Sequence, residues 1–488
     1  MRSFGLGRKG LALPLVVATV ALVSLLGFAA AYIVESQVKM GSRFSGHQDA
    51  FYYAEAGVHE YLWHLNKDSK FYEHDDSFVF DGSNPRVHSV TGGYYQLEVT
   101  DPGPERPVVT IRSTGWPADD PSNRCTVRAE VHKRQFVQHI WLTGQEKTPP
   151  PDGEDVWWIT GDRCYGPLHT NGTLNIDGRP EFYGPVTYSV GLNVRPGSSP
   201  YYAEGPPEKV SPLGFPASNS QLMTWAKQPD GYYFRGRTCI LLDGSQIRVK
   251  YPVWNAGARR YDFVEETRPL PSNGVIYVDG TTADPEGDPT TSKYDPAMGN
   301  AFVSGTLDGR LTIAAAKDIY ITGKDPTNFN YSAAASTGGL RYANTDLDPA
   351  GGMTDDMLGL IAAGYVRILH YDWPHDRPGS LWDWTPYYTP EGDVAPRDIS
   401  IYAAIFALNW AFEFEEYDRG LLKGVITLRG SITQKYRGAV GTFYSGSGTR
   451  RSGYSKDYHH DPRMLYDTPP HFLEPVNAGW EIVAWRRE

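Results

Sequence analysis

Three hydrophobic patterns follow one another along the chain. Leu11 to Val34 is a run of 24 residues without a charge. A stretch of that length spans a bilayer as a helix, the form that satisfies its own backbone where lipid offers no partners. From Gln48 to Leu65 the pattern turns amphipathic. Phe51, Ala54, Val58, Tyr61, Leu62 and Leu65 recur at three- and four-residue steps, the stripe of a helix buried on one side. Helix is therefore predicted almost unbroken from Leu11 to about Asn66, roughly 80 Å at 1.5 Å per residue. Gly41, Gly46 and Gly57 weaken it locally, by about 1 kcal/mol each.

The period then changes to two. Tyr94–Thr100, Val108–Thr114 and Arg124–Val131 alternate apolar with polar, with Asp-Pro-Gly-Pro and Gly-Trp-Pro as turns. Three half-buried antiparallel strands covering one face of the preceding helix are predicted. From Gly166 onward, short apolar-alternating segments recur behind glycine, Asp or Asn corners: Asn171–Gly178, Asn273–Gly280, Ser304–Ala314, Lys317–Gly323, Leu358–Leu369, Ile399–Leu408 and Lys423–Ile432. Strands this short bury their inward faces only by stacking on neighbours. The predicted fold is mainly β with a long N-terminal α-helix, a small antiparallel β module, then a large β-solenoid of parallel β-helix type. The irregular period leaves a propeller or a sandwich open. The expected division is a basic leader 1–10, a helix 11–66, a β module 67–140, a head 155–475 and a C-terminal segment 476–488. Loops Gln145–Glu154, Gly197–Pro216, Thr281–Met298 and Trp373–Pro396 are read as surface excursions.

Composition narrows the picture. The net charge of -11, with no basic block, argues against a nucleic-acid partner. The 32 Tyr, 13 Trp, 51 Gly and 37 Pro fit a turn-rich β protein. Cys125, Cys164 and Cys239 match no zinc spacing, leaving buried thiols or one disulfide as alternatives. Arg2, Arg8 and Lys9 before the apolar run predict an inside N-terminus. Ala29–Ala31 would suit signal-peptide cleavage, but the run exceeds the usual h-region of about 7–15 residues. A plain membrane anchor is a second reading.

A third follows from Gly7-Arg-Lys-Gly-Leu-Ala-Leu13 and Ala50-Phe-Tyr-Tyr-Ala-Glu-Ala-Gly57. With these the chain resembles type IV pilin-like proteins, in particular PilX-type pilus-assembly minor pilins. The resemblance implies a prepilin peptidase cut between Gly10 and Leu11, methylation of the new amine, and a filament or membrane core containing Leu15, Val20 and Leu25. It also implies partners: other pilin-like subunits, the assembly machinery, the peptidase, the cytoplasmic membrane and a surface ligand. Most major pilins carry glutamate as the fifth mature residue, and here that position is Leu15. That departure suits a minor or tip subunit with no neighbour above it. Gly166–Gly172, Met357–Ile361, Gly438–Phe443, Gly453–Arg463 and Pro469–Phe472 together resemble a bacterial domain of unknown function found behind PilX-like N-termini, over roughly Val156 to Phe472.

Catalytic chemistry is sparse. No G-x-S-x-G, H-E-x-x-H or P-loop occurs, and no cofactor is implied. His370, Asp372, His375 and Asp376 are dense enough to ligate a metal, although a polar loop is the plainer reading. His459, His460 and Asp461 before Pro462 read as a cap or turn. Asp346, Asp348, Asp355 and Asp356 offer oxygen ligands for calcium or, more simply, a solvated loop. Gly446-Ser-Gly448 followed by Arg450 and Arg451 reads as a flexible basic loop. Trp382 and Trp384 could stack on sugars or pack internally. The expected function is a non-enzymatic pilin-like surface protein, single-pass in the cytoplasmic membrane and then extracellular. The alternative is a membrane-anchored polysaccharide-active or polysaccharide-binding β-helix protein.

Overall fold

The computed structural model describes residues 12–68, 70–75, 78–79, 86–101, 108–283, 293–328, 337–345, 354–371, 393–444, 450–476 and 478–488. The chain forms two compact units. The first comprises Met1–Lys133 and Gly479–Glu488, the second Arg134–Ala478.

The first unit begins with α1 (Ala12–Lys67), a single helix of 56 residues. Its second half buries Ala50, Ala54, Val58, Tyr61 and Leu65 completely, the three-and-four spacing of the sequence stripe. Those residues pack on a sheet ordered β1 (His88–Val90), β2 (Gly93–Thr100), β3 (Val108–Pro117), β4 (Cys125–Lys133) and a C-terminal strand, Trp480–Arg487. Every neighbouring pair is antiparallel. Tyr95, Leu97, Val109, Ile111, Val127, Ala129 and Val131 supply the sheet side of this core. Glycine allows the close approach: a Cβ on Gly115 would sit 2.3 Å from the backbone N of Ala54 in α1. Gly57, read above as a weak point, faces β3 in the same way, its added Cβ falling 2.4 Å from Ser113 Oγ.

The sequence reading needs correction at the C-terminus. Residues 476–488 do not form a separate segment: Trp480–Arg487 is the fifth strand, paired with β4 from Trp480 opposite Lys133 to Arg487 opposite Val127, with a register shift between Ile482 and Ala484. Asn66 ties it to α1, accepting from Trp480 N at 2.7 Å and donating to Trp480 O at 3.1 Å. Arg112 reaches Glu488 at 2.7 Å. The predicted module 67–140 thus ends at Lys133 and takes its last strand from the far end of the chain.

The second unit is built from rows of short parallel strands. One row runs, in spatial order, Tyr232–Arg235, Val275–Asp279, Arg310–Ala315, Met357–Ala362, Asp398–Ala407, Leu422–Gln434, Trp141–Thr143, Leu168–Thr170, Val186–Tyr188 and Glu208–Lys209. Registered positions carry matching apolar side chains. Ile276, Ile313, Leu360, Ile405, Ile432, Trp141, Leu168 and Val186 form one stacked column, and all are buried. Each such side chain contributes about 1.5–3 kcal/mol through its removal from water. A second row joins Thr238–Gly244, Ala301–Leu307, Thr337–Tyr342, Asp398–Ala407, Leu422–Gln434 and Arg450–His460. Some strands turn from one row to the next at glycine. Gly305 has φ +115°, and a Cβ there would lie 2.1 Å from Leu242 O.

Spatial order differs from chain order. The strands built last, from residues 422 to 460, lie beside those built first, from 141 to 170. At this seam Ile432 N donates to Ile140 O at 3.0 Å, Gly144 N to Gln434 O at 2.8 Å and Arg437 N to Lys147 O at 2.8 Å. Arg450 and Arg451, read above as part of a flexible basic loop, open the strand Arg450–His460. An antiparallel hairpin, Gln246–Asn255 with Arg260–Pro269, extends Thr238–Gly244, and a short helix spans Ser220–Ala226. Neither was evident from the sequence pattern.

Candidate functional site

The feature with the clearest functional demand is the first half of α1. Leu15–Gln37 is the one described helical segment long and apolar enough to cross a membrane, and none of its apolar window is buried. Leu15, Val20 and Leu25 are 69%, 60% and 69% exposed. Exposed apolar surface on this scale marks a binding or membrane face. Gly10 and Leu11 lie outside the described residues.

Among the described residues of the second unit, several buried charged groups are paired. Lys293 Nζ lies 2.7 Å from Glu415 Oε1 and donates to Tyr371 O at 2.9 Å. His370 N donates to Glu415 Oε2 at 3.1 Å, and His370 Nδ1 lies 2.8 Å from Glu415 O. Lys423 pairs with Asp393 at 2.7 Å. Burial alone would push the Glu415 carboxyl up, but Lys293, Arg367 and the His370 N–H together outweigh that and hold it below the ordinary range. Burial, then the Glu415 charge, pushes neighbouring Glu416 up to about 7.

This accounts for the sequence candidates as follows. The His370 ring lies between Tyr371 and Phe414, at 3.9 and 4.1 Å between centroids, as a packed side chain. Asp372, His375 and Asp376 lie outside the described residues, as do Asp346, Asp348, Trp382, Trp384 and Gly446–Gly448. Asp356 is buried and accepts from Gly309 N at 2.6 Å and Asn344 N at 3.1 Å, so it staples two backbone turns. Asp355 is exposed. Asp461 caps the turn Pro462–Leu465 and pairs with Arg463 at 2.6 Å, as a capping residue should. Among the described residues no group of three or more His, Cys, Asp or Glu is placed to hold a metal. Cys125, Cys164 and Cys239 are buried free thiols, and burial pushes the Cys164 thiol up, away from the reactive thiolate.

One cluster that the sequence did not single out has a measurable consequence. His139 lies close enough to His169 and His460 for their charges to oppose its own. His169 is fully buried, its Nδ1 2.8 Å from Thr187 Oγ1 and its Nε2 2.9 Å from Asn171 Oδ1. Burial lowers its pKa to about 4, and burial likewise lowers those of His139 and His460. The unfolded chain takes up these protons near pH 6.5 and the folded chain does not. The contribution of these histidines to stability is therefore complete above pH 6.5 and drains as the pH falls from 6.5 toward 4. His169 alone accounts for about 3 kcal/mol of that loss. Glu416, raised to about 7, acts in the opposite sense over the same range, so urea unfolding at pH 7.5 and 4.5 is read as a difference between parent and variant, and His169→Gln should remove its share of the acid destabilisation. An unchanged slope would remove His169 as its source.

No protein-family model matches the chain, and no curated protein matches it. Among solved structures, it aligns with the crystal structure of the competence-associated pilin ComZ from Thermus thermophilus. The identity is 12%, over 91% of this chain and 97% of that one, with a TM-score of 0.32.

Proposed function

We propose that this chain is a type IV pilin-like subunit of PilX-like kind, cut between Gly10 and Leu11 by a prepilin peptidase. Its apolar half-helix sits in the cytoplasmic membrane before assembly and in a filament afterwards, beside other pilin-like subunits. The observation that carries this reading is one helix in two environments. Leu15–Gln37 is bare and apolar, while residues from Ala50 to Leu65 in the same unbroken helix are buried on a sheet. A signal peptide would end near Ala31, whereas this helix continues to Lys67 as structural material of its own unit.

Leu15 in the fifth mature position favours a minor or tip place. Glutamate there would answer the amine of a neighbouring subunit in a medium of low dielectric, and leucine cannot. We read the second unit as a β-solenoid head, displayed outside and without enzymatic activity. The equivalent strands Arg163–Cys164, Glu181–Phe182 and Tyr201–Tyr202 stack in parallel as successive coils, and the stacked apolar column described above gives those coils a continuous core.

Mass spectrometry of the mature N-terminus, on membrane and shed-filament fractions of the native host, tests the reading. The expected start is an N-methylated Leu11. A start at Met1 leaves a plain anchor and a start at Tyr32 a secreted protein, and either result ends the pilin proposal.

A further inference from the structure

The stacked strands have two ends, and they are finished differently. At one end Tyr232–Arg235 is roofed by the hairpin. Arg268 lies over Tyr232 and Phe234, 5.1 and 5.6 Å from the ring centroids, and Tyr251 meets Phe234 at 5.0 Å. Phe234 is buried as a result. At the other end the last coil carries Gly191–Val194, Tyr201–Tyr202 and Glu208–Lys209. Among the described residues, Gly191–Val194 and Tyr201–Tyr202 are each the outermost strand of a three-stranded sheet, and Glu208–Lys209 follows Val186–Tyr188 as the last member of its row.

Leu192 and Val194 stand in register with Leu174 and Ile176, which are fully buried in the core. At the same inward positions one coil later, Leu192 and Val194 are 38% and 41% exposed. Terminal repeats of stacked folds need a polar outer face to stay soluble alone, and this coil presents its core instead. The charges around it are balanced. Arg195 pairs with Asp177 at 2.6 Å and lies over Trp157 at 4.1 Å, while Glu208 and Lys209 add one charge of each sign. A ladder of amides runs to the same end. Asn175 Nδ2 donates to Val156 O at 3.4 Å, and Asn193 Nδ2 donates to Asn175 Oδ1 at 3.3 Å. Asn193, the last rung, is exposed.

We propose that this end docks on the same end of a second copy of the chain, about a two-fold axis through Asn193. The segment is its own complement: apolar, amide, apolar reads alike in both directions. With Asn193 opposite Asn193 of the second copy, Leu192 meets Val194 and Val194 meets Leu192. Inward faces stay inward in that register, so the apolar column continues across the axis. Gly191 falls opposite Arg195 and leaves room for it. Each Asn193 amide brings a carbonyl and a second N–H, so the two can exchange hydrogen bonds. Arg195 N donates to Ile176 O, and successive residues turn their backbone groups to opposite edges. Asn193 therefore turns back toward its own sheet and forms a non-hydrogen-bonded pair across the axis, flanked by the outward groups of Leu192 and Val194. Such a contact is isologous and closes at two copies. It lies wholly within the second unit and stands or falls independently of N-terminal processing.

The test uses the full chain in detergent micelles, carrying Asn193→Cys. A non-hydrogen-bonded antiparallel pair sets its Cα atoms about 4.5 Å apart, within disulfide reach. Mild oxidation should give a disulfide-linked dimer. The parent, whose three cysteines are buried, should give none, and neither should Val253→Cys on the exposed hairpin. Adding Val194→Lys or Leu192→Lys should cut the yield about tenfold at unchanged thermal unfolding, because each buries an unpaired charge at the contact. In the unaltered chain, hydrogen exchange at Leu192 and Val194 should slow as protein concentration rises, a reading that stands if Asn193→Cys fails to fold. No linked dimer, a yield indifferent to both lysine variants, an equal yield at Val253→Cys, or exchange independent of concentration would each overturn the proposal. So would linkage of Asn193→Cys to a different protein, in place of itself, in cells of the native host.

Discussion

Arg437→Met should destabilise the second unit by about 3–5 kcal/mol, the usual cost of stranding one member of a buried ion pair. Arg437 Nη1 lies 2.6 Å from Glu146 Oε2, with the two side chains 3% and 0% exposed. The other carboxylate oxygen accepts from Thr143 Oγ1 at 2.6 Å and Trp141 Nε1 at 3.3 Å. Arg437 also stacks over Trp158, 4.4 Å from the ring centroid. Methionine fills much of the same volume but leaves the Glu146 charge without its counter-ion at the seam between first-made and last-made strands. Urea unfolding followed by far-ultraviolet circular dichroism measures the loss. Adding Glu146→Gln should recover part of it, because the stranded charge is then gone. If the single variant unfolds within 1 kcal/mol of the parent, on the order of an exposed pair, the seam does not depend on this contact.

Deleting Gly479–Glu488 should unfold the first unit. Trp480 is 7% exposed and belongs to its core; truncating a buried Trp to Ala typically costs about 3–5 kcal/mol. The deletion also strips β4 of its ladder from Val127 to Lys133 and removes the Asn66 and Arg112 bonds to the C-terminal strand. Domains hold only about 5–15 kcal/mol in total, so these losses together exceed a small unit's margin. Hydrogen exchange at Val127–Lys133 reports the outcome directly. Trp480→Ala alone should give partial loss of protection, and the deletion complete loss. Protection equal to the parent in the deletion would show that β4 is held by other means.

The sequence made some of this plain and hid the rest for physical reasons. The buried helix face was legible because Ala54, Val58, Tyr61 and Leu65 repeat at the helical period, and β2 to β4 because one face of each meets that helix. The C-terminal strand was not. Of Trp480–Arg487 only Trp480 is buried, so alternation is faint, and its partner strand lies at the opposite end of the chain. The inward faces of the head strands were legible segment by segment, but alternation names a face and not a neighbour. Nothing local places Trp141 on Ile432. Arg450–His460 escaped notice because Tyr454 and Tyr458 are interleaved with Arg451, Lys456 and Asp457. His370 was noticed for the right chemistry, but its ring is committed to Phe414, Tyr371 and the Glu415 carbonyl.

The disagreement between spatial and chain order sets a schedule on the ribosome. The strands Trp141–Thr143 and Leu168–Thr170 pair early, and Leu422–Gln434, which covers the free edge of Trp141–Thr143, is made far later. At about 5–20 residues per second the wait is on the order of tens of seconds. Through that interval the nascent head carries an open parallel edge, the kind that recruits foreign strands. Loss of the chain's end would therefore not shorten the stack at its tip. It would remove the middle, leaving two half-stacks joined by the 210–231 segment and each ending in a bare edge.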